Sequence, residues 1–145
     1  MPQLVKGGKF VFAWCPVGPH GEVGIPRDAW EEYAFRAGDP VVLFSASRTS
    51  GGFILARKVK LEHSPMAGDL EELWCRRLQK RGWRTWILLE MDAGVIKIPL
   101  EALFAFGAAP GTRLLAVRGS HLGLGMIRKG SIVLEAANHP DIPVI

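Results

Sequence analysis

The chain has 145 residues and a mass of 15.9 kDa, which fits one domain or two small halves with a shared core and argues against a multidomain enzyme. With 48% hydrophobic and 22% charged residues, the composition excludes a disordered chain. The formal net charge of +4 and the pI near 9.4 permit an anionic partner without requiring one.

Neither the cysteines nor the N-terminal residues indicate a special compartment. Cys15 and Cys75 are 60 positions apart, with no Cys-x-x-Cys spacing and no adjacent histidine cluster, so we expect buried free thiols and no metal site. Residues 1–9 lack the apolar core of a signal peptide, and no stretch has the roughly 18 continuous apolar residues of a membrane span. We therefore expect a cytoplasmic protein with no cofactor and no membrane partner.

In chain order, the first half predicts strands around one short helix. Aromatic and β-branched residues predict a strand over Lys9–Pro16, and the turn at 17–21 predicts that it forms a hairpin with a short strand, Glu22–Ile25. A helix is predicted from Pro26 to about Arg36. The remaining segments are the strand Val41–Ser47, the loop Arg48–Gly52 and the strand Phe53–Leu61.

The strongest helix signal follows, over Asp69–Arg81. Asp69 and Glu72 have the spacing of a capping box, and Gly82 ends the segment. Its apolar face consists of Leu70, Leu73, Trp74 and Leu78. The helix macrodipole and solvation both favour basic residues near the end of a helix, which explains the cations there. The alternative is that these cations contact a phosphate backbone.

The second half predicts the same order of elements. The strands are Trp83–Glu90 and Val95–Ile98, the helix runs from Pro99 to about Phe106, and a further hairpin joins Arg113–Arg118 to Gly125–Arg128. In the tail, a short helix is predicted from Ser131 through Ala137. Residues 139–143 are predicted to be extended, because each of two prolines disfavours helix before it.

An internal repeat relates the two halves. Gly21-Glu-Val-Gly-Ile-Pro aligns with Gly94-Val-Ile-Lys-Ile-Pro at an offset of 73 residues, without a gap as far as Ile54 and Ile127. The identical pairs are Gly21/Gly94, Ile25/Ile98, Pro26/Pro99, Ala29/Ala102, Gly38/Gly111, Ser47/Ser120, Gly52/Gly125 and Ile54/Ile127. Most of these residues are glycines, prolines or aliphatic residues, which fix the backbone path or the core. The repeat therefore predicts that the same supersecondary unit occurs once in each half.

The repeat predicts the domain organisation. The first repeat covers residues 1–62, a linker helix 63–82, the second repeat 83–130 and a C-terminal tail 131–145. A copy of roughly 50 residues buries little surface by itself, whereas pairing two copies removes exposed strand edges. We therefore expect the two repeats to form one intertwined domain.

The repeated unit resembles the swapped-hairpin module of the AbrB/MazE/SpoVT family of small bacterial transcription regulators and antitoxins. The similarity covers roughly residues 9–61 and 81–129, and is strongest at residues 21–30, 35–39, 94–99 and 110–111. It implies a mainly β fold with short helices, in which two pseudo-symmetric repeats form a tandem swapped-hairpin β-barrel, as in the related MraZ architecture.

The resemblance also implies binding to duplex DNA and transcription regulation. The family commonly has Gly-Arg before the short strand, whereas this chain has Glu22 and Val95 after the corresponding glycines. The candidate contacts are therefore other basic residues: Lys6, Lys9, Arg27, Arg84 and Lys97, together with the linker cluster of Arg76, Arg77, Lys80 and Arg81. The nearby carboxylates of Glu22, Asp28, Glu90 and Asp92 weaken their field.

The alternative function is a protein-interaction or ligand-sensing module that has kept the fold and lost DNA binding, with a protein partner or a homo-oligomer. An enzyme is not expected, since the four histidines lack metal or nucleophile spacing and are predicted at the surface. The Ser/Gly-rich loops at 47–52 and 118–125 are predicted hairpin turns, or an anion nest built from Ser47 and Ser120. Tryptophans are predicted in the core, and an exposed one would indicate an interface.

Overall fold

The computed structural model describes residues 3–5, 9–63, 77–120 and 122–145, which are mainly strands with short helices. The strands are β1 Gln3–Val5, β2 Lys9–Pro16, β3 Glu22–Gly24, β4 Pro40–Ser45, β5 Phe53–Arg57, β6 Gln79–Arg81, β7 Arg84–Glu90, β8 Val95–Lys97, β9 Arg113–Ser120 and β10 Gly123–Ile127. The helices are α1 Arg27–Glu32, α2 Lys58–Glu62, α3 Leu100–Ala105 and α4 Ser131–Ala136.

The strand order follows the repeat. One antiparallel sheet has the order β1-β2-β9-β10-β5-β4-β7-β6, and β3 pairs with β8 in a second sheet. The counterparts in the two halves are β1 and β6, β2 and β7, β4 and β9, and β5 and β10. When each strand is replaced by its counterpart, the strand order becomes the same order read backwards. Strands of the two halves therefore interleave, through the β2–β9, β5–β10, β4–β7 and β3–β8 ladders.

Two register pairs lie where the halves meet. Val23 pairs with Ile96 in the β3–β8 ladder, and Phe53 pairs with Met126 in the β5–β10 ladder. In both pairs the partners are equivalent positions of the repeat, so the pseudo-two-fold relation of the halves passes through them. All four side chains are fully buried.

One central core and two smaller outer clusters hold the layers together. The central core includes Phe53, Phe106 and residues of α1 and α3. One outer cluster packs Leu61 of α2 against Trp86 and other strand residues, and the other packs Ala136 of α4 against β2, β9 and β10. The helices α2 and α4 occupy equivalent positions 73 residues apart, so the repeat extends beyond Ile54 and Ile127.

The structure corrects the predicted closure of the barrel and one predicted strand pairing. The large sheet is open rather than a closed barrel, because β1 and β6, its outermost strands, each pair with one neighbour in the described residues. The predicted hairpin of β2 with β3 is reduced to an isolated bridge between Val17 and Val23. The strands β3 and β8 are short because Pro26 and Pro99, which have no backbone N–H, follow them closely.

Three local predictions are also wrong in part. Most of the predicted linker helix lies outside the described residues, but its last three residues are strand β6, because Gln79–Arg81 forms a ladder with β7. The strand predicted to reach Leu61 ends at Arg57, and α2 then buries Leu61. In the tail, residues 139–142 form a turn closed by Ile142 N donating to His139 O at 3.2 Å, because Pro140 presets a turn conformation.

Candidate nucleic-acid interface

The β6–β7 hairpin lies in a strongly basic stretch of the chain. Residues 73–89 contain no Asp or Glu. They contain five cations: Arg76, Arg77, Lys80, Arg81 and Arg84. Because Gln79–Arg81 is strand, the helix-macrodipole explanation does not apply to Lys80 and Arg81.

The ladder sorts these cations onto two faces. Arg81 lies directly opposite Arg84, so both side chains leave the hairpin on the same face, whereas Lys80 lies opposite Thr85 on the other face. Both arginines are exposed. Two arginines at directly opposite positions concentrate positive charge on this face of the hairpin.

The tip of the hairpin adds an exposed aromatic ring. Gly82 and Trp83 connect the strands, and Gly82 has a left-handed φ of +63° that suits glycine at a tight turn. Trp83 is 49% exposed, and the Arg84 guanidinium lies 5.8 Å from its ring centroid. The predicted core location is therefore wrong for Trp83, while Trp86 is buried as predicted.

The helix α2 extends the basic face in a way that sequence reasoning missed. Leu61 of α2 and Trp86 of β7 pack in one buried cluster, and Trp86 shares its strand face with Arg84 because side chains alternate. Lys60 is exposed on α2 and therefore adds positive charge on this side of the sheet. The sequence signal was the basic run from Arg57 to Lys60, which was interpreted as strand.

The structure places Arg27 and Lys97 elsewhere, among carboxylates. Exposed Arg27 in α1 lies with its Nε 3.3 Å from Glu31 Oε1. Lys97 in β8 is the register partner of Glu22, and the Glu22 carboxylate accepts a hydrogen bond from the backbone N–H of His20 at 3.1 Å. Arg27 and Lys97 therefore each lie beside a carboxylate, which weakens both as contacts for an anion.

The other candidates are only partly described. Lys6 and Arg76 lie outside the described residues, as does the side chain of Lys9, whose backbone begins β2. Arg77 is exposed two residues before the start of β6. The structure thus brings together Arg81 and Arg84 from the predicted set, with Arg77 close along the chain.

A second basic cluster joins Arg48, Arg128 and Lys129, none of which the sequence singled out. The backbone N–H groups of Arg128 and Lys129 donate to Ser50 O at 3.0 and 2.8 Å, which fixes this loop beside the β4–β5 turn. In the described part of the chain, no Asp or Glu pairs with these three cations. The side chain of Ser120 lies outside the described residues, and the predicted Ser47/Ser120 nest therefore lies partly outside them as well.

No metal-ligating cluster accompanies these surfaces in the described ranges. No group of three or more His, Cys, Asp or Glu could hold a metal ion there, and no described helix is both long and apolar enough to cross a membrane. His20 and His63 are exposed as predicted, and His139 Nε2 lies 3.3 Å from Glu135 Oε1. His121 lies outside the described residues.

Cys15 is fully buried in β2, and burial raises the pKa of its thiol to about 12. Because the thiolate is the reactive form, we expect Cys15 in a Cys75→Ser variant to react with iodoacetamide at pH 8 at least about 100-fold more slowly in the folded protein than in denaturant. Mass spectrometry of timed samples measures both rates. Equal rates would contradict the placement of Cys15 in the core.

No protein-family model, curated protein or solved structure matches the chain.

Proposed function

We propose that the chain is a duplex-DNA-binding transcription regulator of the AbrB-like, tandem swapped-hairpin type, with the β6–β7 hairpin as its main DNA contact. The observation that carries the proposal is the exposed cross-strand pair Arg81/Arg84 beside exposed Trp83, in a segment without carboxylates. Phosphate contacts by Lys and Arg supply most non-specific affinity for DNA.

The shape of the hairpin supports the same function. The tip of the hairpin lies beyond the last β4–β7 register pair, Phe44 with Trp86, and a two-stranded tip fits a major groove that is about 12 Å wide. Arg81 and Arg84 on one face would contact the phosphates that border the groove, and Lys60 on α2 would extend this contact. The interleaved strand order, which reads the same in reverse under the repeat, supports the assignment to the swapped-hairpin class.

The test is fluorescence anisotropy of the purified chain with random-sequence duplex DNA, and with DNA upstream of its own coding sequence, across a salt titration. We expect the variant Arg81→Gln/Arg84→Gln to lose about two released counterions from the slope of log K against log salt, because each phosphate contact contributes about 0.9. Tighter binding to the upstream DNA than to random DNA would support regulation.

The matched control is Arg36→Gln/Arg113→Gln, which removes the same charge from exposed positions outside the hairpin and outside the cluster of Arg48, Arg128 and Lys129. An equal loss in both variants would show that net charge alone determines the salt dependence of DNA binding, and it would contradict the proposed contact. A different outcome is tighter binding to single-stranded than to duplex DNA, with Trp83→Ala causing the largest loss. The ligand would then be a single strand whose bases stack on Trp83, and the duplex proposal would be wrong.

A further inference from the structure

An apolar groove on the other side of the hairpin is independent of the proposed DNA contact. It lies between β6 and α3, has a volume of about 760 Å³, and is lined by Leu78, Lys80, Glu101, Phe104 and Ala105. Phe104 is 59% exposed. A large aromatic ring left in water indicates a surface that becomes covered by a partner.

The internal repeat provides a control for this groove, since α1 and α3 occupy equivalent positions. Residues 27, 31 and 32 correspond to residues 100, 104 and 105. In α1 they are Arg27, Glu31 and Glu32, and in α3 they are Leu100, Phe104 and Ala105. The charged set forms exposed ion pairs, Arg27 with Glu31 and Glu32 with Arg118. The fold therefore tolerates a fully charged surface at this position, and the apolar surface of α3 is a separate property of the second half.

The charges of the groove indicate what covers it. Lys80 lies on the β6 side and Glu101 on the α3 side, and neither forms an ion pair with another described residue. A groove that carries one cation and one anion suits a second copy of the chain, because a two-fold axis midway between the two charges places Lys80 of each protomer opposite Glu101 of the other.

We propose that the occupant is a second copy of this chain. In this two-fold homodimer, Phe104 of each protomer enters the groove of its partner, and Lys80 of each protomer pairs with Glu101 of the partner subunit. Apolar rings at the centre with charges at the rim are the usual anatomy of a stable interface. The DNA face of the hairpin stays free, because Lys80 leaves β6 on the face opposite Arg81.

Sedimentation velocity without DNA, from about 1 µM to about 300 µM chain, tests the dimer directly. We expect a concentration-dependent species of twice the 15.9 kDa chain mass. Phe104→Asp should weaken the dimer at least about tenfold. Leu134→Asp makes the same charge change at a leucine that is 72% exposed on α4 and should leave dimerisation unchanged.

Charge reversal makes the test specific. Lys80→Glu and Glu101→Lys should each weaken the dimer, and the double variant should restore it, because the pair is then re-formed with exchanged signs. Thermal melts followed by circular dichroism confirm that each variant is folded. A wild-type monomer at every concentration would overturn the proposal, and so would equal effects of Phe104→Asp and Leu134→Asp. A monomer that binds an acidic amphipathic peptide would assign the groove to a different partner. None of these outcomes depends on whether the chain binds DNA.

Discussion

Replacing Phe53 with alanine is expected to lower the free energy of unfolding by about 3 to 5 kcal/mol, the range for truncating a buried phenylalanine. Phe53 is 0% exposed, its ring centroid lies 5.4 Å from that of Phe106, and its register partner is Met126. The truncation therefore opens a cavity where the two halves of the repeat meet, which neighbouring side chains fill only in part.

The measurement is chemical denaturation followed by tryptophan fluorescence and circular dichroism. Phe104→Ala is the matched control, since it removes the same atoms from a ring that is 59% exposed. At a protein concentration low enough to favour monomer, the control should cost less than about 1 kcal/mol. Equal losses for the two variants would show that Phe53 does not lie at the centre of the core.

The second large effect is expected from a pair of glycines that the sequence presents as equivalent. Gly21→Ala should destabilise the fold by about 2 to 5 kcal/mol, because a Cβ there would lie 2.1 Å from the backbone oxygen of Ile98 at a left-handed φ of +83°. Gly94 has a φ of +72° with open space around it. Gly94→Ala should therefore cost only the left-handed strain, about 1 to 2 kcal/mol.

The two glycine variants serve as controls for each other, because both replace a glycine in the same conformation at equivalent positions of the repeat. Denaturant midpoints and slopes, measured side by side, give the difference directly. If Gly94→Ala were as destabilising as Gly21→Ala, the close approach of Gly21 to the β8 end would not be the cause.

Much of the local structure could be read from neighbouring residues. Lys9–Pro16 is a strand with the predicted bounds, and Pro26 and Pro99 precede the two equivalent helices α1 and α3. The strand and the two helix starts were predicted correctly because aromatic and β-branched runs favour strands and proline favours a helix start, whatever the rest of the chain does. The end of α1 was predicted wrongly, since the helix ends at Glu32 rather than near Arg36. The prediction for Gln79–Arg81 was wrong because pairing with β7 outweighed a helical pattern.

The candidate site could be predicted less well. The sequence identified Arg81 and Arg84 as cations, yet their position opposite each other depends on the register of a ladder, and the exposure of Trp83 depends on its place at the hairpin tip. Lys60 joined this side of the sheet only because α2 packs Leu61 against the outer cluster. The groove beside Phe104 required β6 and α3 to be brought together in space.

By itself, then, the sequence determined the 73-residue repeat, the strand β2, the helix starts after Pro26 and Pro99 and the mainly β composition, because these follow from local backbone preferences and residue spacing. Only the tertiary structure decided that β3 pairs with β8, that the large sheet stays open, and that Gly21 is enclosed while Gly94 is free. Those outcomes depend on contacts between residues distant in the chain, and two copies with the same local signals can meet different neighbours.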